Sequence, residues 1–216
     1  MKVLVLSSGG IDSSTCLGLA VKEYGKENVV ALSIFYGQKH DKELKASDAV
    51  ANYYGVEHIK LNLSTIFDYS DCSLLSHSNQ EIAHESYAEQ IKKTDGNGLF
   101  ISSAASIALS KGCSKILYGA HSDDAAGNAY PDCSQVFNDA MNKAIYEGSG
   151  RQLVVEAPFV NMNKAGVVKT GLEIGVPYEL TWSCYEGNDK PCGKCGTCID
   201  RQAAFEANGT VDPLLK

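Results

Sequence analysis

The sequence predicts an α/β protein with a parallel sheet that is covered by helices on both faces. Short apolar segments typical of buried strands alternate with segments in which apolar residues recur at spacings of three and four. Strands that alternate with helices form parallel sheets, because the connecting helices pack on the faces of the sheet. With 216 residues, 44% of them hydrophobic, the chain can bury one full core, and a second full domain is not expected.

The individual elements follow from these two patterns. The predicted strands are the short segments rich in β-forming residues: Lys2 to Leu6, Asn28 to Tyr36, Glu57 to Leu61, Lys115 to Gly119 and Leu153 to Glu156. The predicted helices are the segments with helical periodicity: Asp12 to Tyr24, Lys42 to Tyr54, Leu99 to Lys111, Gln135 to Tyr146 and Asn163 to Ile174. The range 63–97 is polar and weakly periodic. Structureless connections of this length are uncommon in compact domains, so we interpret it as a functional lid or binding loop.

The charge balance of the chain favours a small-molecule substrate. The formal net charge is -7, whereas duplex nucleic acid is bound by clustered lysine and arginine residues. The segment Met1 to Leu6 is too short for a signal-peptide core, and no run of about 18 apolar residues could span a membrane. We therefore expect a soluble, cytoplasmic protein without nucleic acid or membrane partners.

A glycine-rich loop follows the first predicted strand and opens the first predicted helix. It reads Ser7-Ser8-Gly9-Gly10-Ile11-Asp12-Ser13-Ser14-Thr15. Backbone N–H groups and a helix N-terminus converge at such a position, and glycines let the main chain approach phosphate oxygens closely. The hydroxyl groups of Ser8, Ser13 and Ser14 could add donors. The loop therefore predicts a phosphate site, and the alternative is an ordinary tight turn capped by Asp12.

The eight cysteines divide into two groups. In the reducing cytosol they are not expected to form structural disulfides, and the default for the scattered members is a small buried hydrophobe. The scattered members are Cys16, Cys72, Cys113 and Cys133. The clustered members, whose short spacing lets their thiolates face one metal ion, are Cys184, Cys192, Cys195 and Cys198. Four thiolates predict a closed, structural zinc site; an iron–sulfur cluster is the main alternative, and four free thiols are the other.

The Ser-Gly-Gly-x-Asp-Ser signature of the glycine loop resembles that of the N-type ATP pyrophosphatases. In that family the loop holds the pyrophosphate of ATP while the α-phosphorus is attacked. Further fragments follow in order between Val3 and Phe205, and together they closely resemble the 7-cyano-7-deazaguanine synthase (QueC-like) family. These fragments are Tyr36-Gly37-Gln38-Lys39-His40, Gly119-Ala120-His121-Ser122-Asp123-Asp124, Asn128-Ala129-Tyr130-Pro131-Asp132-Cys133, Ala157-Pro158-Phe159, Asn163-Lys164-Ala165, Thr181-Trp182-Ser183-Cys184-Tyr185 and Cys192-Gly193-Lys194-Cys195.

The resemblance implies an ATP-dependent ligase on a Rossmann-like sheet of the adenine nucleotide alpha hydrolase type. Such a ligase converts 7-carboxy-7-deazaguanine and ammonia to the nitrile, en route to queuosine, by two adenylations at one nucleotide site. Residues 1–180 would form the nucleotide-binding domain, and residues 181–216 a zinc-binding segment and a terminal helix, both packed on that domain. Many members of the family pair into dimers, so a homodimer is compatible with the resemblance.

The resemblance also assigns site residues. The ATP loop would comprise Ser7, Ser8, Gly9, Gly10, Ile11, Asp12, Ser13, Ser14, Thr15, Cys16 and Leu17, with Mg²⁺ bridging the phosphate oxygens. Asp12 is a candidate for metal positioning or helix capping. The candidates for holding the deazapurine are Asp123, Tyr130 and Asp132, and the alternative for Tyr130-Pro131-Asp132 is a rigid turn. We group Asp12, Asp123 and Asp132 as candidate catalytic residues. Lys164 would contact phosphate or remain a solvated lysine at a helix start, and His40 and His121 are given no role.

Two positions depart from the family pattern. Members commonly carry Pro-x-Arg-Asn where this chain has Thr94-Asp95-Gly96-Asn97, so Gly96 stands at the arginine position, and Ser134 stands where arginine is frequent. Substrate or product could therefore differ. The alternatives are a related enzyme that stops at the amide, an enzyme that thiolates tRNA, and a zinc-stabilised nucleotide-binding module without turnover. The acidic charge balance counts against tRNA as a substrate.

Overall fold

A parallel sheet of five strands forms the centre of the protein, as predicted. The computed structural model describes residues 1–39, 41–69, 75–77, 79, 96–126, 130–186 and 189–215. The strands are β1 (Val3–Leu6), β2 (Val29–Phe35), β3 (Glu57–Asn62), β4 (Lys115–Leu117) and β5 (Val154–Glu156). Their order in the sheet is β3-β2-β1-β4-β5, and every neighbouring pair is parallel.

The strand order reverses direction between β1 and β4. The chain first steps from β1 to β2 and β3 on one side, and it then returns to place β4 and β5 on the other side. Val3 of β1 is in register with Val29 of β2 and with Lys115 of β4. The loops after β1 and β4 therefore leave in opposite directions and open a crevice beyond the carboxyl ends of these strands, where α/β proteins bind ligands.

Helices cover both faces of the sheet, which confirms the predicted architecture. They are α1 (Ile11–Tyr24), α2 (Lys42–Tyr54), α3 (Ser64–Phe67), α4 (Gly96–Ser110), α5 (Ser122–Ala125), α6 (Gln135–Gly148), α7 (Lys164–Ile174) and α8 (Gly196–Glu206). Alternate residues of each strand point to opposite faces, so Val3 and Val5 pack with α1 and α7 while Leu4 packs with α4. None of the described helices is long and apolar enough to cross a membrane.

The predicted elements are all present, with ends within three residues of those expected. Asn163 is the N-cap of α7, where its side chain accepts a hydrogen bond from the backbone N–H of Gly166 at 2.9 Å, and Gly175 ends the helix with a left-handed backbone. Cys16, Cys113 and Cys133 are buried, as expected of small hydrophobes, whereas Cys72 lies outside the described residues. Most of the range 63–97 also lies outside them, so its role as a lid stays a prediction.

An ion pair between Arg201 and Asp212 fixes the C-terminal part of the chain. Each side chain is only 3% exposed. The guanidinium group donates to both carboxylate oxygens, at 2.6 and 2.8 Å, and also to the hydroxyl of Thr181 at 2.7 Å and the carbonyl of Tyr178 at 3.1 Å. This bidentate geometry satisfies both buried charges and ties α8 to the segment that precedes the cysteine cluster.

We expect Asp212→Ala to lower the free energy of unfolding by about 3–5 kcal/mol, because it leaves the guanidinium of Arg201 buried without its counter-charge. Urea unfolding followed by circular dichroism measures this loss. The matched control is Glu147→Ala, which removes the partner of Arg151 from an exposed pair and should cost no more than about 1 kcal/mol. Equal losses in the two variants would contradict the importance of the buried pair.

Candidate functional site

The glycine loop lies at the crevice between β1 and β4, and Gly9 fits there only because it has no side chain. Its φ angle is +93°, a conformation that L side chains rarely adopt. A Cβ atom at this position would overlap the carbonyl oxygen of Glu43 and lie 2.6 Å from the backbone nitrogen of Ser47. Gly10 differs, with φ -77° and its nearest neighbours 3.6 Å or more from the position that a Cβ atom would take. The loop therefore packs on the backbone of α2 at Gly9 and is less constrained at Gly10.

Hydrogen bonds from its own side chains shape the loop. The hydroxyl oxygen of Ser13 accepts from the backbone N–H groups of Ser8, at 3.1 Å, and Gly9, at 3.2 Å. Gly10 is the N-cap of α1 and no side chain caps this helix end, so Asp12 does not serve as the cap. The backbone donors at the start of α1 are the groups from which anion sites are built.

A buried polar network beneath the loop was missed by sequence reasoning. The carbonyl oxygen of Ser7 accepts from the hydroxyl groups of Ser33, at 2.6 Å, and Ser47, at 3.1 Å. Ser33 also contacts Nε2 of His58 at 2.8 Å, and Nδ1 of His58 lies 2.9 Å from Asp48. Serines within an apolar strand and on the buried face of a helix were the only sequence signal. The network holds the first residue of the loop to β2, α2 and β3.

We expect Gly9→Ala to destabilise the fold by roughly 1–3 kcal/mol, because the new side chain meets backbone atoms and requires a strained φ angle. The comparison variant is Gly10→Val, which should unfold near the wild-type midpoint yet bind ATP about 10–150-fold more weakly, the loss expected for one hydrogen bond to a charged group. Thermal unfolding and ATP titration by calorimetry separate the two effects. Wild-type ATP affinity in a folded Gly10→Val protein would contradict a phosphate site at this loop.

Asp12, His121 and Lys164 meet at the mouth of the crevice. The ammonium group of Lys164, at the first residue of α7, lies 2.5 Å from Oδ2 of Asp12 and 3.3 Å from Nε2 of His121. The backbone N–H of Lys164 donates to Asp123 at 2.8 Å. Gly119 makes this meeting possible, because a Cβ atom there would lie 2.7 Å from the carbonyl carbon of Asp12. The structure thus brings together three of the residues that the sequence singled out, and adds His121.

Burial shifts the protonation equilibria of this group. It raises the pKa of Asp124 to about 7, against the opposing charge of Lys164. It lowers the pKa of His121, which is only 3% exposed. The pKa of Lys164 is raised, since the carboxylates of Asp12 and Asp124 outweigh burial. In the part of the chain that the structure describes, Nδ1 of His121 and Oδ1 of Asp12 are buried without hydrogen-bond partners. The site therefore combines a fixed cation with a carboxyl group that can exchange a proton near neutral pH.

Two cavities adjoin this cluster, and Asp124 lines both. The first, of about 240 Å³, has a polar side that includes Ser8 and Asp12 and an apolar side that includes Ile34 and Phe100. The second, of about 400 Å³, is lined by Asp123 and Asp124 of α5, Lys164 of α7 and Asp200 of α8, and by His121 and Tyr130 from the segments before and after α5. The first cavity lies beside the glycine loop and has a polar and an apolar side, and the second is larger and acidic. Together they provide room for two different ligands.

The predicted site residues divide between these features. Of the predicted ATP loop, the residues on the wall of the first cavity are Ser7, Ser8, Asp12 and Ser13. Five others are fully buried in the core and line neither cavity: Ile11, Ser14, Thr15, Cys16 and Leu17. The predicted substrate residues Asp123 and Tyr130 lie on the second cavity, but Asp132 accepts a hydrogen bond from the backbone N–H of Asn97 at 3.0 Å, beside the first.

The two departures from the family pattern also have a structural place. Gly96 is the first residue of α4, adjacent to Asn97 on the wall of the first cavity. Ser134 is the N-cap of α6, where its hydroxyl accepts from the backbone N–H of Phe137 at 3.1 Å. The segment Pro131–Cys133 is a short 3₁₀ turn, which is compatible with the rigid-turn interpretation of this motif. His40 lies outside the described residues.

The four clustered cysteines form a group that could hold one metal ion. The ligand atoms of Cys184, Cys192, Cys195 and Cys198 all lie within 4.8 Å of one another, and among the described residues no other group of three or more metal-ligating side chains is so close. Backbone N–H groups of Glu186 and Cys192 donate to the sulfur of Cys184, at 3.4 and 3.3 Å. Burial opposes ionisation of Cys195, but hydrogen bonding with Thr197 and with backbone N–H groups lowers its pKa to about 7. The chemistry and spacing of the donors fit a thiolate-bound metal.

Solved structures with the same fold include enzymes that differ widely in sequence. The NH3-dependent NAD synthetase from Campylobacter jejuni is 15% identical, with a TM-score of 0.54 over 83% of this chain and 66% of that chain. The U34-tRNA thiolase NcsA from Methanococcus maripaludis, solved with its [4Fe-4S] cluster, is 14% identical, with a TM-score of 0.55 over 96% of this chain and 67% of that chain. At these identities the likeness establishes the fold alone.

Relatives in sequence are much more similar. The 7-cyano-7-deazaguanine synthase of Archaeoglobus fulgidus is 44% identical over 100% of this chain and 90% of its own length. That of Psychromonas ingrahamii is 37% identical over 99% of this chain and 96% of its own length. Residues 2–209 match the family described as queuosine biosynthesis protein QueC. The chain belongs to the QueC family.

Proposed function

We propose that this protein is an ATP-dependent ligase that converts 7-carboxy-7-deazaguanine and ammonia to 7-cyano-7-deazaguanine in queuosine biosynthesis. The observation that carries the proposal is the glycine loop beside the Asp12–Lys164 pair, in a chain 44% identical over its full length to a 7-cyano-7-deazaguanine synthase. A carboxylate resists attack by ammonia until one of its oxygens becomes a good leaving group. A site that aligns ATP with a carboxylate supplies that activation.

ATP is proposed to occupy the first cavity. Its base would pack on the apolar side formed by Leu32, Ile34 and Phe100, and its phosphates would accept hydrogen bonds from the loop and the start of α1. The ammonium group of Lys164 would attract the phosphates. Mg²⁺, bound to the phosphate oxygens near Asp12, would neutralise the charge that develops on pyrophosphate.

The deazapurine is proposed to occupy the second cavity. Asp123 and Tyr130 would accept from its amino and ring N–H groups, with its carboxylate directed toward Asp12 and the first cavity.

The carboxylate oxygen displaces pyrophosphate from ATP, and ammonia then displaces AMP to give the amide. A second ATP adenylates the amide oxygen with release of pyrophosphate, and loss of AMP and of both N–H protons leaves the nitrile. Asp124, which lines both cavities, is placed to accept a proton from the attacking ammonia. Asp132 would contribute by holding α4 through Asn97.

One zinc ion per chain is proposed for the cysteine cluster. Four sulfurs about 2.3 Å from one tetrahedral ion lie about 3.8 Å apart, close to the 4.0 Å between the sulfurs of Cys192 and Cys198. A cluster of several irons would push the thiolates further apart, because the irons lie between them. Four thiolates leave no position for water, so the ion would be structural.

We further propose that the protein is cytoplasmic, with a nucleotide-binding domain at 1–180 and a zinc-binding segment at 181–216. This organisation is compatible with a homodimer.

The test is turnover by the purified protein with 7-carboxy-7-deazaguanine, ATP and ammonium chloride. Chromatography with mass detection should find the nitrile, with two AMP and two pyrophosphate formed for each nitrile. Accumulation of the amide with one AMP would instead support the enzyme that stops there, a candidate favoured by Gly96 at the usual arginine position beside the first cavity. No pyrophosphate release at all would support a nucleotide-binding module, and sulfur transfer to tRNA would support a thiolase.

A further inference from the structure

We propose that the metal centre holds the nucleotide loop in its binding conformation through Trp182, so that metal and ATP strengthen each other's binding. The proposal rests on the ATP and zinc sites proposed above. It assigns Trp182 as a positioning residue that contacts neither the reacting atoms nor the metal.

Trp182 bridges the two sites by hydrogen bonds at both ends. Its backbone N–H donates to the carbonyl oxygen of Gly9 at 2.9 Å, and its indole Nε1–H donates to the carbonyl oxygen of Cys184 at 2.8 Å. The side chain is 8% exposed and packs in one apolar cluster with Cys184, Cys195 and Cys198. One residue therefore links the backbone of the phosphate loop to the backbone of a metal ligand.

The segment around Trp182 also covers the loop beside it. The carbonyl oxygen of Trp182 and the hydroxyl of Ser183 lie 3.7 and 3.8 Å from the position that a Cβ atom of Gly10 would take. Ser183 is in turn held from the metal side, since its carbonyl oxygen accepts from the hydroxyl of Thr197 at 2.6 Å, and that hydroxyl lies 3.3 Å from the sulfur of Cys195. Gly9 is thus held between the backbone of α2 on one side and the cysteine segment, residues 181–195, on the other.

Few regular elements support the cysteine segment itself. In the described part of the range 181–195 there is no helix or strand, and α8 begins only at Gly196. A metal ion shared by four thiolates is therefore the feature that would fix this segment. Without it, Trp182 loses its anchor at Cys184, and the loop loses one of the contacts that hold it. Because binding couplings are reciprocal, the factor by which zinc raises ATP affinity equals the factor by which ATP raises zinc affinity.

Two binding measurements on the zinc-loaded protein test the proposal, with ATP and magnesium but no deazapurine, so that no turnover occurs. The first is the ATP dissociation constant from calorimetry, and the second is the zinc dissociation constant from equilibrium competition with a chromophoric chelator, with and without ATP. We expect ATP to tighten zinc binding about fivefold or more in the wild-type protein, within the usual range of couplings between sites. Trp182 is the only tryptophan of the chain, so its fluorescence should also change on ATP addition.

Trp182→Phe keeps an aromatic ring but removes the N–H that binds the carbonyl of Cys184. We expect this variant to bind ATP at least about fivefold more weakly and to lose the ATP effect on zinc affinity. The control is Phe205→Leu, a change at a fully buried aromatic residue of α8 that packs on Tyr178. Among the contacts described, Phe205 touches neither Gly9 nor the cysteine cluster. It should lower stability but keep the coupling.

The outcomes separate the coupling from the function on which it rests. If the wild-type protein binds ATP but ATP leaves the zinc dissociation constant unchanged, the coupling is wrong and the proposed function stands. A Trp182→Phe protein with both wild-type ATP affinity and a wild-type ATP effect on zinc affinity also overturns the role of Trp182. If the zinc-loaded wild-type protein does not bind ATP, the proposed nucleotide site falls and the coupling falls with it. The wild-type zinc measurement keeps the test decisive even if Trp182→Phe does not fold.

Discussion

Turnover should fall by about 10²–10³-fold in the Asp12→Asn variant, while the protein remains folded. The substitution keeps the shape of the side chain but removes the charge that holds the ammonium group of Lys164 at 2.5 Å. A misplaced cation and a lost negative charge at the proposed Mg²⁺–phosphate site remove electrostatic stabilisation worth roughly 2.7–4 kcal/mol in comparable cases. Pyrophosphate release in the presence of ATP, 7-carboxy-7-deazaguanine and ammonium measures the loss, and circular dichroism checks the fold.

The matched control is Glu57→Gln, which removes a carboxylate paired with Lys2 and Lys111 at the opposite end of the sheet. Turnover should stay within about twofold of wild type there, because the pair is partly exposed and remote from the crevice. Full activity in the Asp12→Asn variant would show that Asp12 has no role in the proposed site. Equal loss in both variants would point to a general effect of charge on the fold.

Metal analysis should find about one zinc per chain and little iron, and Cys195→Ala should lose the metal together with much of its stability and soluble yield. Structural zinc contributes its binding free energy to folding, and the corresponding value in small zinc peptides is about 10–16 kcal/mol, an upper limit here because most of the core is independent of the metal. We expect a loss of about 3 kcal/mol or more, read from chemical unfolding with and without chelator.

Cys113→Ala is the control for this change, since Cys113 is a buried cysteine outside the cluster. It should keep the zinc and cost only about 1 kcal/mol, as ordinary core substitutions do. Stoichiometric iron and sulfide in the purified protein would show that the four cysteines hold an iron–sulfur cluster and not zinc. A stable, metal-free Cys195→Ala protein that had lost only catalysis would overturn the structural role of the ion.

The fold was predictable because its strands are short segments rich in apolar and β-forming residues, and most of its longer helices repeat apolar residues at spacings of three and four. α3 and α5 were missed because each has four residues, too few to display a helical period. The cysteine cluster was predictable from spacing alone, because its ligands lie close together along the chain. These successes depend on short-range patterns.

The parts of the site that were missed all depend on contacts between distant segments. Ser33, Ser47 and His58 come from three different elements, and no local sequence pattern predicts that they meet beneath Ser7. Asp132 was grouped with Asp123 because both belong to one run of motifs, yet the structure places it against Asn97 at the other cavity. His121 had no partner in the sequence, and it gains Lys164 only when α7 packs at the end of β4.

The hydrogen bond between Gly9 and Trp182 has a consequence for protein synthesis. The phosphate loop precedes Trp182 and the four cysteines along the chain, so it leaves the ribosome before they do. The nascent chain therefore carries the glycine loop without its hydrogen bond to Trp182 until that residue and the cysteines have been synthesised. On the coupling proposed above, the metal can strengthen ATP binding only after all four cysteines have emerged, so metallation precedes full competence to bind ATP.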